Sequence, residues 1–435
     1  MAVMLAMAIT LPTWVAVLAA VALVFFASSL LGSLLGPMPA YKLANADEMP
    51  ANDSDRFLEL LEALADAELN ETGDLEVLTN GPSFYPAALE AIRGATQSVN
   101  LEAYIFAKGE IARQYVEALA ERARAGVKVN VIIDAFGSAG TGKSFFKPLL
   151  TAGGRVSWYN GPRWYSLMHL DNRTHRELMI VDGKIGFIGG AGIADQWLRG
   201  THGQPRWRDS AVRIEGEAAG NLQATFAENW LSSSGELLIG DAYFPRLHND
   251  HPLISLVVNS TPTVGGSTRA RILFQLLLAS AKQSISITTP YFLPDKGLAQ
   301  DLCRAVQRGL RVRILVPGRK SDHMVTRSTS RAGYGPLLKA GAEVYEYHPS
   351  MIHAKVLCVD DLWVVVGSTN FDNRSFGIND EVNLAIRNTA VAERFESDMA
   401  ADLRQSRKVS LKEWQHRPLT ERATELIGLV FERQQ

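Results

Sequence analysis

Two histidines recur in the same local pattern, and the spacing around them suits chemistry on a phosphate ester. The later copy reads His353-x-Lys355-x4-Asp360-x6-Gly367-Ser368-x-Asn370. Alternate side chains of a strand share one face, so the imidazole of His353 and the ammonium of Lys355 point the same way. The small residues that follow allow an anion to approach closely, and the Asn370 amide can donate hydrogen bonds to it. The pattern predicts a phosphate-sized pocket.

An imidazole that attacks phosphorus forms a covalent phosphohistidine. A second imidazole can then protonate the departing alcohol and later deprotonate the incoming one. The earlier copy of the pattern supplies that second histidine, His175. Two half-sites that meet across an interface would form one active site without a metal ion. The remaining histidines show no metal-ligand spacing such as His-Glu-x-x-His, so we expect neither a metal nor another cofactor.

The two copies belong to a long internal repeat. Three residue pairs are each 178 positions apart: His175 and His353, Asp182 and Asp360, and Gly189 and Gly367. Strand, helix and strand patterns precede each copy, at 98–106, 111–125 and 129–134 and again at 284–292, 298–306 and 312–317. This spacing is typical of parallel strands with right-handed crossovers, and the period is too long for a solenoid. It predicts an α/β fold of two pseudo-twofold related domains with mixed, largely parallel sheets.

The N-terminal segment is apolar and uncharged. Residues 1–41 contain no Asp, Glu, Lys, Arg or His, and the apolar run 14–35 exceeds the roughly 20 residues that a membrane helix needs. A cleaved signal peptide is the alternative, but the segment lacks the usual N-terminal Lys or Arg and its apolar run is too long. We predict a transmembrane anchor at 1–40, a connector helix within 41–74, the first repeat at 75–245, and the second repeat with a C-terminal helical tail at 246–435.

Composition excludes several classes of protein. The 435 residues are 47% hydrophobic and 21% charged, values typical of a globular protein. Lys and Arg number 44 against 46 Asp and Glu, which is not the basic excess of a nucleic-acid binder. The two cysteines, Cys303 and Cys358, cannot build a disulfide framework or a cysteine-based zinc site.

The repeated motif resembles the signature of the phospholipase D superfamily, His-x-Lys-x4-Asp followed by Gly-Ser/Gly-x-Asn, which occurs twice in its members. The second half is similar to bacterial cardiolipin synthases in the stretches 289–295, 305–318, 340–361 and 366–381 and in the tail 411–422. The resemblance covers about residues 75–435. It implies a pseudo-twofold α/β fold acting on phospholipid phosphodiesters at the cell (inner) membrane, with the catalytic domain on the cytoplasmic side.

The resemblance also implies roles for single residues. It makes one histidine the nucleophile, His175 by analogy, and the other the general acid and base, and it places Ser368 and Asn370 on the substrate phosphate. Lys355, Asp182 and Asp360 join the catalytic set, the two aspartates as turn formers or as residues that orient the histidines. Glu381 and Arg374 are supporting residues, with Glu381 expected to position a histidine. The segment 207–209 (Trp-Arg-Asp) is predicted to be core packing.

The first motif departs from the family pattern at two positions. Glu177 stands where the family has Lys, and Gly192 stands where it usually has Asn, while Gly190 matches Ser368. A carboxylate there would repel a substrate phosphate by a few kcal/mol at about 4 Å. We therefore expect Glu177 to pair with a cation (Lys355, Arg374 or Arg173) or to be protonated by burial, and then to assist deprotonation of the acceptor hydroxyl.

Several functions remain open from the sequence. The leading one is a membrane-anchored phosphatidyl transferase that moves a phosphatidyl group from one phospholipid to the hydroxyl of another, such as phosphatidylglycerol. With water as acceptor the same chemistry gives a phospholipase D-type hydrolase. The apolar segment and the near-neutral charge oppose a nuclease, and the altered first motif leaves room for a non-catalytic lipid-binding protein. The expected partners are phospholipid substrates and the membrane, not nucleic acid, and the sequence does not address the oligomeric state.

Overall fold

The structure is a computed structural model that describes residues 13–35, 41–161, 172–201, 203–247, 253–262, 268–418, 421, 422 and 425. The helices in chain order are α1 (Thr13–Leu35), α2 (Asp55–Ala65), α3 (Gly81–Gly94), α4 (Glu110–Arg124), α5 (Lys147–Thr151), α6 (Asp195–Leu198), α7 (Glu217–Ser234), α8 (Arg269–Ser280), α9 (Lys296–Gln307), α10 (Met324–Ala332), α11 (Tyr334–Ala340), α12 (Asn373–Gly377), α13 (Thr389–Leu403) and α14 (Leu411–Gln415).

The strands in chain order are β1 (Leu69–Thr79), β2 (Ser98–Ala103), β3 (Lys128–Asp134), β4 (Arg155–Tyr159), β5 (Leu178–Val181), β6 (Ile185–Gly189), β7 (Ser210–Gly216), β8 (Leu253–Ser260), β9 (Ser284–Thr288), β10 (Phe292–Leu293), β11 (Arg311–Pro317), β12 (Glu343–Tyr347), β13 (Val356–Val359), β14 (Trp363–Gly367), β15 (Phe371–Asp372), β16 (Glu381–Arg387) and β17 (Ser406–Lys408). The predicted strand, helix and strand unit at the start of each repeat is confirmed, as β2, α4 and β3 and as β9, α9 and β11.

Fifteen of these strands form one continuous sheet. Its order is β17-β12-β11-β9-β13-β14-β16-β8-β1-β7-β6-β5-β2-β3-β4. Read inwards from β4 and from β12, the two repeats give the same succession: β4-β3-β2-β5-β6-β7-β1 in the first and β12-β11-β9-β13-β14-β16-β8 in the second, with β17 as an additional edge strand. The sequence repeat is therefore a pseudo-twofold repeat of the fold.

The prediction of largely parallel sheets is wrong. Among the described strands of this sheet, parallel pairing is confined to β2, β3 and β4 and to β9, β11 and β12, and the other pairings are antiparallel. The cause is local, since three residues join β5 to β6 and β13 to β14. A connection this short can form only a hairpin, whereas a parallel pair needs a crossover of a dozen or more residues.

The two repeats are joined at the centre of the sheet by the antiparallel pair β1 and β8, in which Leu69 lies opposite Leu256. β1 also pairs with β7 of the first repeat. The predicted boundary between residues 74 and 75 falls inside β1. The whole of this strand therefore belongs to the sheet, and its first residues pair with β8 of the second repeat.

The connector helix α2 packs against the second repeat. Ser54 caps it by accepting a hydrogen bond from the Phe57 backbone N–H. The Phe57 ring meets the Trp363 ring edge-on at 5.9 Å, and the Trp363 indole N–H donates to the Asn52 carbonyl at 2.7 Å. Phe57 is fully buried in the core of the second repeat, and burial of a side chain of this size stabilises a fold by about 1.5–3 kcal/mol.

The predicted anchor coincides in part with α1, while residues 1–12 and 36–40 of its range lie outside the described residues. The structure describes only some of the side chains of α1. Within the described residues, no helix has both the length and the apolar character of a membrane span. The single-pass anchor stays a prediction.

Candidate active site

The two motif histidines lie at equivalent places in the fold, each three residues before an inner strand of its repeat. The His175 backbone N–H donates to the Asp380 carbonyl at 2.9 Å, and the His353 N–H donates to the Arg208 carbonyl at 2.7 Å. Short parallel bridges join Thr174 to Asp380 and Arg208 to Ile352. Each histidine segment is therefore held by a segment of the other repeat, as the sequence predicted for half-sites that meet across an interface.

Each imidazole is also held by a carboxylate from the opposite repeat. Nδ1 of His175 lies 3.0 and 3.1 Å from the two carboxylate oxygens of Glu381. Nδ1 of His353 lies 3.1 Å from Oδ2 of Asp209. A carboxylate on Nδ1 fixes the tautomer in which that nitrogen carries the proton, which leaves Nε2 with the lone pair. The His175 ring is thus prepared to react through Nε2.

Glu381 is fully buried among polar groups that fix its position. The Ser368 hydroxyl donates to its carboxylate at 2.5 Å, and the same hydroxyl oxygen accepts the Val382 N–H at 3.0 Å. Ser368 therefore holds the carboxylate that orients His175. Its predicted contact with substrate phosphate stays a prediction, since in this arrangement the hydroxyl proton is already used.

Asp209 is the residue of this site that the sequence reasoning missed. It is buried, and it accepts hydrogen bonds from the Trp197 indole at 2.8 Å and from the Ser210 backbone N–H at 2.8 Å. The rings of Trp197 and Trp207 flank the His353 ring at 5.3 and 5.5 Å. The prediction of plain core packing for 207–209 is wrong for Asp209, because its carboxylate contacts the imidazole of the motif residue His353.

The pairing of equivalent strands in the two repeats identifies Asp209 as the counterpart of Glu381. The glycine that ends β6, Gly189, lies opposite Ala211, and the glycine that ends β14, Gly367, lies opposite Asn383. Asp209 is two residues before Ala211, and Glu381 is two residues before Asn383. Alignment of the repeats by these strands places both carboxylates at one equivalent position.

Lys355 is buried against His353, as predicted, although both residues precede β13 and do not lie within a strand. Its Nζ lies 2.9 Å from Nδ1 and 3.2 Å from Nε2 of that imidazole and donates to the His353 carbonyl at 2.7 Å. Burial lowers the pKa of Lys355 to about 8, although the carboxylates of Asp209 and Glu381 act to raise it. Lys355 thus feels the charge of both histidine partners, one from each half-site.

The charges around His353 favour its neutral form. Burial lowers the pKa of His353, the Lys355 ammonium lowers it further, and Asp209 opposes both effects. Burial would raise the pKa of Asp209, but its bond and charge interaction with His353, together with Lys355, bring it below its ordinary value. Asp209 is therefore a carboxylate that pairs with a proton-accepting imidazole.

Glu177 and Gly192, the two departures from the motif, lie against each other. Oε1 of Glu177 accepts the Ile105 backbone N–H at 3.1 Å. A Cβ at Gly192 would come within 3.0 Å of that Oε1 and 2.8 Å of the Ile105 carbonyl. The Glu177 carboxyl therefore occupies space that an asparagine at 192 would need, and the two departures fit together.

Glu177 makes no ion pair within the described residues, so the expected pairing with a cation is not observed there. Burial raises its pKa well above the ordinary value, while the Ile105 N–H and the Lys355 ammonium act in the opposite direction. The structure therefore favours the other expectation, a protonated side chain. The charges of Arg374 and Arg173 instead lower the pKa of Tyr104, which burial raises. The Tyr104 ring meets the His175 ring edge-on at 5.2 Å.

Asn370 is buried at the same site, and its side-chain oxygen has no hydrogen-bond partner among the described residues. The unpaired atom is an acceptor, which a hydroxyl group of a ligand can complete. Within the described residues, no cluster of three or more His, Cys, Asp or Glu has the arrangement of a metal site.

The motif aspartates lie away from the histidines and do not orient them. Asp182 accepts the backbone N–H groups of Thr96, Gln97 and Ser98 at 2.8–3.1 Å. Asp360 accepts those of the equivalent residues 282–284 at 2.7–2.9 Å. Both have positive φ, 55° and 56°, which suits a turn.

The catalytic role assigned to the two aspartates is therefore corrected. They stand at the ends of β5 and β13 opposite to the histidines, seven residues further along the chain, which is about 20 Å of extended backbone. Their turn role is the one that the structure bears out. The histidine-orienting role belongs to Glu381 and Asp209.

Comparisons with known proteins assign both repeats to one family. A family model described as the cardiolipin synthase, phospholipase D-like domain matches residues 88–230 and 275–403, one stretch in each repeat. Cardiolipin synthase 1 of Bacillus cereus is 32% identical over 389 residues, which cover 87% of this chain and 76% of that protein. The major cardiolipin synthase ClsA of Bacillus subtilis is 34% identical over 369 residues, covering 84% of this chain and 76% of the relative.

A solved structure shares the fold at low sequence identity. The phosphatidylserine synthase of Haemophilus influenzae superposes with a TM-score of 0.66 at 14% identity, covering 86% of this chain and all of that one.

Proposed function

Because the chain belongs to the cardiolipin synthase family, whose domain is of the phospholipase D type, we propose that its paired histidines carry a phosphatidyl group through a phosphohistidine. The protein is a phosphatidyltransferase acting on phospholipids. The observation that carries the mechanism is the exchange of carboxylates between repeats, in which Glu381 holds Nδ1 of His175 and Asp209 holds Nδ1 of His353.

His175 is the nucleophile in this proposal. Its Nε2 has no hydrogen-bond partner within the described residues, whereas Nε2 of His353 lies 3.2 Å from the Lys355 ammonium. A lone pair that faces an ammonium is less available for attack. The positive Lys355 is better suited to the nonbridging phosphate oxygens, with the Asn370 amide as a second donor.

The first step forms a bond from His175 Nε2 to the donor phosphorus and breaks the bond from phosphorus to the glycerol oxygen. His353 gives its proton to that oxygen, and glycerol leaves. His353 is mainly neutral in the free protein, but a bound phosphodiester anion offsets the repulsion from Lys355 and raises its proton affinity.

The second step reverses these roles. His353 takes the proton from the hydroxyl of a second phospholipid, and the oxygen attacks the phosphohistidine, which frees His175. With a phosphatidylglycerol donor and a phosphatidylglycerol acceptor, the products are cardiolipin and glycerol. Water as acceptor would give phosphatidic acid, the product of the hydrolase alternative.

The nucleophile can be identified with an activated donor. A nitrophenyl ester of phosphatidic acid labelled at phosphorus needs no acid to expel its leaving group. We expect His353→Ala to release nitrophenol once per chain and to keep the label on His175, and His175→Ala to take up no label. Label retained by His175→Ala would assign the nucleophile to His353, and absence of label from both single variants and the wild type would refute the covalent mechanism.

Mass spectrometry of the products tests the acceptor. Wild-type protein supplied with phosphatidylglycerol is expected to form cardiolipin, whereas phosphatidic acid as the main product would favour the hydrolase.

Residues 1–40 are proposed as the membrane anchor, since the α1 side chains Trp14, Leu18 and Phe25 are 66%, 59% and 75% exposed. The anchor predicts that alkaline carbonate washing leaves the full chain in the membrane fraction.

A further inference from the structure

A basic cavity lies at the outer end of the second repeat, away from His175 and His353. Its volume is about 670 Å³, and its lining includes Arg319, Lys320, Arg327, Arg331, Arg407 and Arg417. Arg319 and Lys320 follow the carboxyl end of β11, and Arg407 lies on the edge strand β17. The cavity is thus formed where the sheet ends.

The described lining carries more positive than negative charge. Its acidic members are Glu346, Glu413 and Glu421, against six Arg or Lys side chains. Three guanidinium groups share the carboxylate of Glu346: Arg331, Arg327 at 3.3 Å and Arg407 at 3.9 Å. Arg331 also pairs with Glu421, Arg407 with Glu413, and Arg417 with Glu425, so the surplus of positive charge in the cavity comes from Arg319 and Lys320.

Part of this surplus has unused hydrogen-bonding capacity. Arg319 and Lys320 are exposed and form no ion pair with a described residue, and the Lys320 ammonium donates only to the Pro349 carbonyl at 2.8 Å. The buried Nε of Arg327 has no hydrogen-bond partner among the described residues. Guanidinium groups with free N–H groups match the paired oxygens of a phosphate.

Exposed apolar side chains lie within one turn of Arg327 on α10, outside the cavity lining. Met324 and Val325, in the first turn of α10, are 53% and 51% exposed, and the same helix carries Arg327. Apolar groups beside cations are the combination found at a lipid surface, where phosphates lie above acyl chains. This combination distinguishes the cavity from a site for a free phosphate.

The cavity faces the same edge of the sheet as the catalytic histidines but does not belong to their site. His353 precedes β13, which runs antiparallel to β9, so it lies at the carboxyl ends of β9 and β11. In the order β12-β11-β9-β13 three strand spacings, about 14 Å, separate β12 from β13. One flat membrane surface could touch both places.

We propose that this cavity binds the phosphate headgroup of an anionic phospholipid that is not a substrate in the same turnover, and that it thereby holds the catalytic edge against the membrane. Arg319, Lys320 and Arg327 bind the negative phosphate, while Met324 and Val325 contact the acyl chains of the membrane. The proposal does not depend on the reaction that the histidines perform.

The test counts lipids bound to the full-length chain in neutral detergent micelles. His353→Ala serves as the background so that no lipid is consumed, and native mass spectrometry measures the retained palmitoyl-oleoyl-phosphatidylglycerol. We expect two retained lipids, and we expect the charge reversal Arg319→Glu with Lys320→Glu to weaken one of the two about tenfold. Phosphatidylcholine should not replace the lost lipid.

Arg404→Glu is the matched control, because Arg404 is an exposed arginine of the same region that does not line the cavity. It should retain both lipids. Equal retention by the double variant and the control would overturn the proposal. Displacement of the second lipid by millimolar inorganic phosphate alone would assign the cavity to free phosphate and would also overturn it.

Failure of the proposed function looks different. It would appear as wild-type protein that does not convert phosphatidylglycerol, with an unchanged lipid count. The double variant should melt at the temperature of the control, since neither side chain forms an ion pair with a described residue.

Discussion

The carboxylate of Glu381 holds Nδ1 of His175 across the boundary between the repeats, at 3.0 and 3.1 Å. Asp209 holds His353 in the reverse direction. Each histidine thus takes its orientation from the repeat that does not carry it. The predictions below follow from this exchange and from the groups around it.

Asp209→Asn should lower kcat by at least about 100-fold, because an amide can neither fix the reactive tautomer of His353 nor stabilise its protonated form. The measurement is the rate of cardiolipin formation at saturating phosphatidylglycerol. Asp402→Asn is the control, since Asp402 is a buried carboxylate bonded to Arg208 at 2.9 Å, one residue away. The control should lose stability and keep most of its kcat. Equal kcat losses in both variants would remove the special role of Asp209.

Asp182→Asn should act on stability rather than on chemistry. Backbone N–H bonds lower the pKa of Asp182, although burial alone would raise it. Loss of the charge should cost about 1–2 kcal/mol of unfolding free energy at neutral pH. A lowered folded-state pKa stabilises above the unfolded pKa of about 3.9, so the difference from wild type should shrink as the pH falls below that value.

Urea unfolding measures this difference, and turnover per folded molecule should stay within a few-fold of wild type. Asp360→Asn should behave alike, because Asp360 holds the equivalent turn of the second repeat. A variant that keeps its stability and loses its turnover would return the aspartates to the catalytic set.

The pH profile of kcat/KM should fall above pH about 8, the pKa of Lys355 in the free protein. Only the protonated ammonium attracts the substrate phosphate, so deprotonation weakens capture. Lys355→Arg should move this decline to higher pH, since a guanidinium stays charged. An unchanged alkaline limb in Lys355→Arg would assign it to another group.

Glu177→Gln should retain kcat within about threefold, because a protonated carboxyl and an amide offer similar hydrogen bonds and the same zero charge. Glu177→Lys should be worse, since it places a second ammonium near the buried Lys355 and loses the Ile105 contact. A loss of more than about 100-fold in Glu177→Gln would show that Glu177 acts as a base. A strong gain in Glu177→Lys would show that the glutamate hinders the reaction.

The sequence predicted the elements of the fold well because their signals are local. The helix α4 and the strands β2 and β3 follow from apolar spacing within a few residues, and the same holds for α9 and β11. The continuous sheet was not predictable in this way. The pairing of β1 with β8 joins residues more than 180 positions apart, and no local pattern encodes that contact.

The site was predicted to a similar extent. His175, His353 and Lys355 were predicted from the motif, because its spacing indicates a phosphate-binding pocket. Asp209 was missed because it follows a tryptophan and an arginine, which favour a packing interpretation, and because its partner is 144 residues away. The sequence left two roles open for Asp182, as a turn former or as a residue that orients a histidine. The structure decides between them because it places Asp182 at the end of β5 opposite to His175.

The exchange of carboxylates also constrains how such a chain could have arisen. A single repeat contains one histidine and one carboxylate, and its fold does not bring the two into contact. Such a repeat could form a complete site only by pairing with a second copy of itself. Fusion of the two genes would then have preserved an existing twofold dimer. After fusion each half was free to diverge, and a pair of altered residues such as Glu177 and Gly192 could accumulate on one side alone.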